Sequence, residues 1–560
     1  MSARDARPRR RAWRAALEPA VLIALAGCWL TVSQWAGARP LWLDEEMIAL
    51  NVRDRSFADL AGQLWLDQSA PLGWLVLERT ALLAFGTGEL ALRLIPMIFG
   101  IATLAAAVWI GLRWMSRIGA SVLALLCTFG VYLSHYPQEV KHYSADGFFG
   151  LLLPALAVWA VESDGGALRR RALVWWTLAC VGQWLANGAV FVTPGCAALL
   201  LVIVWRRDGL RAALRFAQVG AVWIASIGLH YYVSLRYTHN SAFLRSHWAS
   251  ELPLDATGPI ETSVWIVNRL EPLATNPAGT DLWIVFWLLA ACGFALSSRP
   301  VLGAAFATAP MSAFLLAAFR LVPLHQRFSL WMVPALYAGV ALILDRAIGA
   351  ARRLYLARRW MPLCGSVAVV LTAVYLCTDV VANGARDLTR ARPREHKQGL
   401  DDRSAVQWLM ARRQPGDAIL TTRLGWPSVW WYAGIDLSRV NGGWAPFSDG
   451  SRMFEVAHVR APADCAGDQV REALKDHQRA LVYLGFRDVP DGFGDLLLSS
   501  LDRMGVVAAF LRFADLSFTA IVDLHGPGSE QITFRSMIVL PEDSRTPLDG
   551  CVSVRPASRW

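Results

Sequence analysis

The feature that most constrains this chain is a series of apolar stretches long enough, or nearly so, to cross the roughly 30 Å hydrocarbon core of a bilayer. They run Leu17–Gln34, Ala91–Leu112, Ile118–Ser134, Gly147–Val161, Leu173–Ala186, Phe191–Trp205, Ala217–Val233, Leu282–Leu296, Val301–Phe319, Leu330–Leu344 and Met361–Val381, eleven in all. Across 560 residues, 55% hydrophobic and only 18% charged content agrees with a multi-pass α-helical membrane protein bearing a soluble remainder. The net charge of +10 could point to nucleic acid, but its placement argues against that. Basic residues crowd into alternate loops: Arg4 to Arg14, Arg113 and Arg117, Arg169 to Arg171, Arg206 to Arg215, Arg299, and Arg346 to Arg359. This is the positive-inside pattern, so the basicity sets orientation. An inside N-terminus and eleven crossings then place the C-terminal tail outside.

Three segments follow from this. Residues 1–16 form a basic cytoplasmic head, and 17–382 a membrane domain with long outer loops at 35–90 and 234–281. Residues 383–560 form an extracytoplasmic domain. The first span has no obvious small-residue cleavage site after it and reads as a retained anchor. In the tail, DDRSAVQWLMARR, REALKDHQR and FGDLLLSSLDRMG have helical character, while GDAILTT, ALVYLGF and SFTAIVDL read as strands. Alternating helix and short apolar strand predicts an α/β domain with a partly parallel sheet. No GxGxxG or Walker loop supports nucleotide binding. Seven of nine cysteines fall in apolar spans, where Cys is a small hydrophobe; Cys465 and Cys551 lie in the tail, where a disulfide between them is plausible.

Four outer connections could build a site. The first holds LWLDEE, Leu41 to Glu46, at the start of a segment with Leu50, Phe57, Leu60 and Leu64 spaced as on one helix face. It also holds SAPLGWLVLERTALLAFG, so two helices lying in the interface are expected, the second starting at Pro71. The second connection is HYPQEVKHYS, His135 to Ser144; the third, Ser234 to Asp281, is long and aromatic; the fourth is VPLHQRF, Val322 to Phe328. Carboxylates at Asp44 and Glu45, with cations at Lys141, Arg327 and Arg93, suit transfer from an anionic leaving group. A carboxylate takes the proton of an incoming hydroxyl while cations stabilise charge growing on phosphate oxygens. Tyr136, Gln138, His142 and Tyr143 supply hydrogen-bonding groups suited to phosphate or sugar.

Each residue also has an ordinary explanation. Lys141 can snorkel at a span end, Arg327 can anchor a helix at the interface, and Tyr136 and Tyr143 can be aromatic-belt residues. His325 is equally an interfacial polar group, and Glu46 reads as charge at a helix start. Only their joint occurrence on one face is informative. Outside the cytoplasm no nucleotide sugar is available, so a transferase there needs a donor arriving in the lipid.

The ordered series LWLDEE, SAPLGW ahead of GELALRLIPMIFG, YPQEVKHYS and HQRFSLWMVPALYAG resembles the GT-C superfamily of membrane glycosyltransferases. It is most similar to the bacterial branch of protein O-mannosyltransferases and lipid A aminoarabinose transferases. The resemblance implies an inverting hexosyl or pentosyl transferase of the bacterial inner membrane, its site facing the periplasm and its donor a polyprenyl-phosphate sugar. The family's base falls on Asp44 and the assisting acid on Glu45; the donor-phosphate contacts fall on Lys141 and Arg327, with Tyr143 and Arg93 beside them. Tyr136, Gln138, His142 and His325 are then candidate substrate contacts. The family more often has Arg where Lys141 stands, which loses a bidentate fork but keeps a point charge. A metal accompanies some relatives, but this sequence has no recognisable ligand set. The acceptor, whether glycan, lipid or protein hydroxyl, is not named by the sequence. A transporter of lipid-linked sugars and a non-catalytic assembly protein are the competing readings.

Overall fold

The computed structural model describes residues 18–390, 400–436, 447–460, 469–486, 490, 492–513, 517–524 and 551–556. The basic head and Cys465 lie outside the described residues. The chain divides into two compact units, Met1–Gly37 with Phe57–Arg390 and Ala38–Ser56 with Ala391–Trp560. The first outer loop is therefore shared, its LWLDEE portion falling in the unit that contains the tail.

The first unit is helical. Each expected crossing falls on a helix, because a backbone in lipid must satisfy its own hydrogen bonds. Eight helices among the described residues are long and apolar enough to cross a membrane, nine if Arg117–Phe129 and Val131–Gln138 form one span bent by 61°, against the eleven expected. The shortfall has local causes. Gly165–Leu185 includes the Arg169–Arg171 cluster, and Trp283–Leu296 has only 14 residues. Apolar side chains such as Trp29, Leu371 and Met361 face outward, as lipid-facing positions do.

Ion pairs gather the loops expected on the inside at one end of these helices. Arg113 and Arg299 both reach Glu162, at 2.8 and 3.7 Å, Arg117 pairs with Glu18 at 2.6 Å, and Arg207 pairs with Asp164 at 3.0 Å. Near the helix Tyr143–Val161, a 3₁₀ stretch, Gln326–Met332, packs by its Trp331. A Cβ at Gly150 would stand 1.9 Å from the Trp331 carbonyl oxygen, and one at Gly188 would stand 2.5 Å from Trp331 Cβ. Both positions need glycine so that this stretch, which carries Arg327, can seat.

The second unit holds a six-stranded sheet: β1 Ala418–Thr421, β2 Arg452–Val459, β3 Arg479–Leu484, β4 Val506–Phe513, β5 Ser517–Asp523 and β6 Cys551–Pro556. Their order is β4-β5-β3-β1-β2-β6, with β1 parallel to β2 and β3 and the outer pairings antiparallel. The central strands β1 and β3 are buried almost throughout, which is why AILT and ALVYL are unbroken apolar runs. Leu420, Val482, Leu497, Leu498 and Val522 centre the core. The partly parallel sheet agrees with the α/β expectation. Cys551 is disulfide-bonded, and seven other cysteines are free.

Helix Leu43–Asp54 belongs to this unit and packs on helix Trp426–Tyr432. It differs from the interfacial amphipathic helix expected. Residues from Glu45 to Val52 are buried on every side, and the helix stops at Asp54, so Leu60 falls in a separate 3₁₀ turn and Phe57 is exposed. Arg53 pairs with Asp54 and donates to the carbonyls of Trp430 and Trp431, each at 3.3 Å.

Candidate active site

In the helical unit, side chains from all four outer connections meet. Lys141 is 5% exposed, and its ammonium donates to Gln68 Oε1 at 2.8 Å, so it is held inside instead of snorkelling. The hydroxyls of Ser69 and Thr238 are hydrogen-bonded at 2.7 Å, tying the first outer connection to the third. A cleft between them is lined by Gln63, Asp67, Gln68, Tyr237 and Thr238, a polar wall rich in hydroxyl, amide and carboxylate groups.

The fourth connection joins the third through His325, whose Nδ1 lies 3.2 Å from Glu251 Oε2, while Arg269 donates to the same oxygen at 2.7 Å. Burial holds His325 below its ordinary pKa even though Glu251 pulls it upward. The Arg327 guanidinium lies over the rings of Tyr143 and Phe328, each at 5.8 Å, and of Trp248 at 6.0 Å. Such faces attract a cation without neutralising it.

Tyr136 and Tyr143 are buried edge to face at 5.0 Å, which takes them out of an aromatic belt. His142 is buried with Nε2 2.9 Å from Asn187 Nδ2 and 3.5 Å from Asp146 Oδ2. Burial, with Lys141 and Arg327 nearby, pushes it down to about 3, so it serves as a neutral hydrogen-bonding group and not a cation. Gln138 faces elsewhere, donating to the Thr31 carbonyl at 3.1 Å. Arg93 is buried where Glu89–Leu92 gives way to Leu94–Trp114.

In the second unit, Asp44, Glu45 and Glu46 form the first turn of helix Leu43–Asp54, where carboxylates complement the positive end of the helix dipole. Their environments differ. Asp44 is partly exposed, whereas Glu45 is fully buried and its carboxylate accepts the Trp42 N–H at 3.3 Å. Glu46 departs from the sequence expectation of a solvated helix-start charge: it is fully buried and accepts from the Ser428 hydroxyl at 2.8 Å.

Sequence reasoning missed Gln68, Glu251, Ser428 and Asp402. Gln68 had a signal, since it adjoins SAPLGW; the others stand in no motif. Among the described residues no three His, Cys, Asp or Glu side chains group as a metal site.

No family model matches the sequence, and no curated protein matches it at the sequence level. The fold does match solved structures. ArnT from Cupriavidus metallidurans, bound to undecaprenyl phosphate, superposes with a TM-score of 0.51 at 14% identity, covering 91% of this chain and 99% of that one. The oligosaccharyltransferase of Archaeoglobus fulgidus superposes with a TM-score of 0.48 at 12% identity, over 82% of this chain and 69% of that one. In fold, this chain is a multi-pass helical membrane protein like ArnT, with an α/β tail.

Proposed function

We propose that this protein is an inverting glycosyltransferase that moves a sugar from a polyprenyl-phosphate donor to an acceptor hydroxyl at the outer face of the bacterial inner membrane. The observation behind this is the meeting of all four outer connections around Lys141 and Arg327, the Arg327 guanidinium lying over aromatic rings. Lys141 and Arg327 hold the donor phosphate, with Tyr143 and Arg93 supporting them. His142 and His325 with Tyr136 hydrogen-bond phosphate or sugar, and Gln138 braces the turn from which Lys141 projects. Asp44 is the general base, and Glu45 assists by capping the turn that bears it.

The acceptor oxygen attacks the anomeric carbon from the face opposite the phosphate and gives its proton to Asp44. The glycosidic bond forms as the carbon–oxygen bond to phosphate breaks, and the electron pair leaves with polyprenyl phosphate, whose charge the cations stabilise. The undecaprenyl phosphate bound to ArnT supports a donor of this class.

The test is reconstitution in vesicles containing polyprenyl-phosphate sugar and a candidate acceptor glycan, lipid or peptide. Covalent product with release of polyprenyl phosphate is expected. Movement of the lipid-linked sugar across the bilayer, with no product from any acceptor class, would identify a transporter instead.

A further inference from the structure

The third acid of LWLDEE has no place in the reaction above. Glu46 is 0% exposed, Asp402 is 1% exposed and Ser428 between them 2%. The Ser428 hydroxyl oxygen lies 2.8 Å from Glu46 Oε2 and 3.4 Å from Asp402 Oδ2, joining residues 382 apart in sequence to residues 26 apart. Tyr483 closes the far side. A Cβ at Gly485 would fall 2.1 Å from the Tyr483 hydroxyl and 3.1 Å from Asp402 Oδ1, so the absence of a side chain there lets the phenol stand beside the carboxyl.

The other charged groups facing the pair are also acidic: Glu45 on the motif helix and Asp401 ahead of helix Asp402–Met410. Among the described residues no cation pairs with Glu46 or Asp402. Two carboxyl groups buried without a cation cannot both be ionised at ordinary cost, so they share a proton through the hydroxyl between them. Buried pairs of this kind hold their elements together only while that proton is present.

We infer that Asp402 and Ser428 are positioning residues for the transferase: with Glu46 they form a proton-sharing clamp that fixes the first turn of the motif helix and so the Asp44 carboxylate. The inference rests on the reading of Asp44 as the base. Burial, then the neighbouring acid, raises Glu46 well above its ordinary value, and burial raises Asp402 as well. Raised values mean that the clamp is complete in acid and is lost as pH rises. When the second proton leaves, two like charges face each other in a dry interior and the turn is released. Transfer should therefore decline on an alkaline limb set by this pair.

The experiment measures kcat and donor KM against pH for the full-length protein in vesicles with polyprenyl-phosphate sugar. Asp402→Asn replaces one charge with an amide, and the alkaline limb should move up by about one pH unit or more. Ser428→Ala removes the bridge; kcat should fall roughly tenfold with donor KM unchanged, and the limb should move up, because the hydroxyl's hydrogen bonds favour the charged form of both carboxyls. Ser428→Thr retains a hydroxyl and should restore the wild-type profile. If Asp402→Asn does not insert, Glu46→Gln is read for the same upward movement. Profiles of Ser428→Ala and of either amide variant that superimpose on wild type would overturn the clamp. So would a change confined to donor KM. Asp44→Asn separates the two readings: normal turnover by that variant removes the base, whereas a dead Asp44→Asn beside an unmoved Asp402→Asn profile removes only the clamp.

Discussion

One site in each unit keeps ionisable groups from water, and the two sites do so by opposite means. At the outer connections of the helical unit, charge is answered by opposite charge or by rings: Glu251 has Arg269 and His325, and Arg327 has three aromatic faces. In the tail unit, Glu46 and Asp402 are answered among the described residues only by hydroxyls. The first arrangement sets a charge against opposite charge or aromatic faces, which suits groups that receive a phosphate. The second survives only by holding a proton. One region is built to present charge, the other to hide it, and the helix of the LWLDEE motif depends on the second.

Removing Arg327 gives the largest separation of the two regions. Arg327→Ala should lower transfer by about 10²–10³-fold, as expected for loss of a cation that stabilises developing phosphate charge, with no displacement of the alkaline limb. Arg327→Lys should recover only part, because an ammonium lacks the planar face that lies over Tyr143, Trp248 and Phe328. A steady-state rate assay checks both; a limb that moved with Arg327 would erase the distinction drawn here.

The next effect is on stability. Asp402 is raised to about 6, so its protonated form contributes stability that is complete below the ordinary Asp value and lost as pH rises through about 6. Unfolding of the tail followed by tryptophan fluorescence should show a melting temperature that falls from pH 5 to pH 8, and Asp402→Asn should flatten that slope. Ser428→Ala should cost about 1–3 kcal/mol, the usual penalty for stranding a buried hydrogen-bonding partner. The smallest effect belongs to the charge-answered region. Glu251→Gln leaves His325 and Arg269 partly exposed to solvent and should cost no more than about 1 kcal/mol, read as a shift in melting temperature with little pH dependence.

Much of this arrangement was legible in the sequence because it is periodic or compositional. The alternation of Arg clusters marked which loops share an end, and Arg113, Arg299 and Glu162 do meet there. Unbroken apolar runs such as ALVYL marked β3 as a buried strand. Crossing number was less legible, since the RRR of Arg169–Arg171 lies within a helix and length alone does not separate a short span from a packed helix. The environment of Glu46 could not be read at all. Its partners, Ser428 and Asp402, stand in the tail in no recognisable motif, and a carboxylate in a helix's first turn looks the same whether it faces water or a protein interior.

Chemistry at Asp44 is the most direct point of attack. Asp44→Asn, inserted in vesicles with polyprenyl-phosphate sugar, should bind donor as wild type does yet transfer it at least about 10²-fold more slowly, the contribution of a general base. Turnover at the wild-type rate by a folded, inserted Asp44→Asn protein would contradict the account.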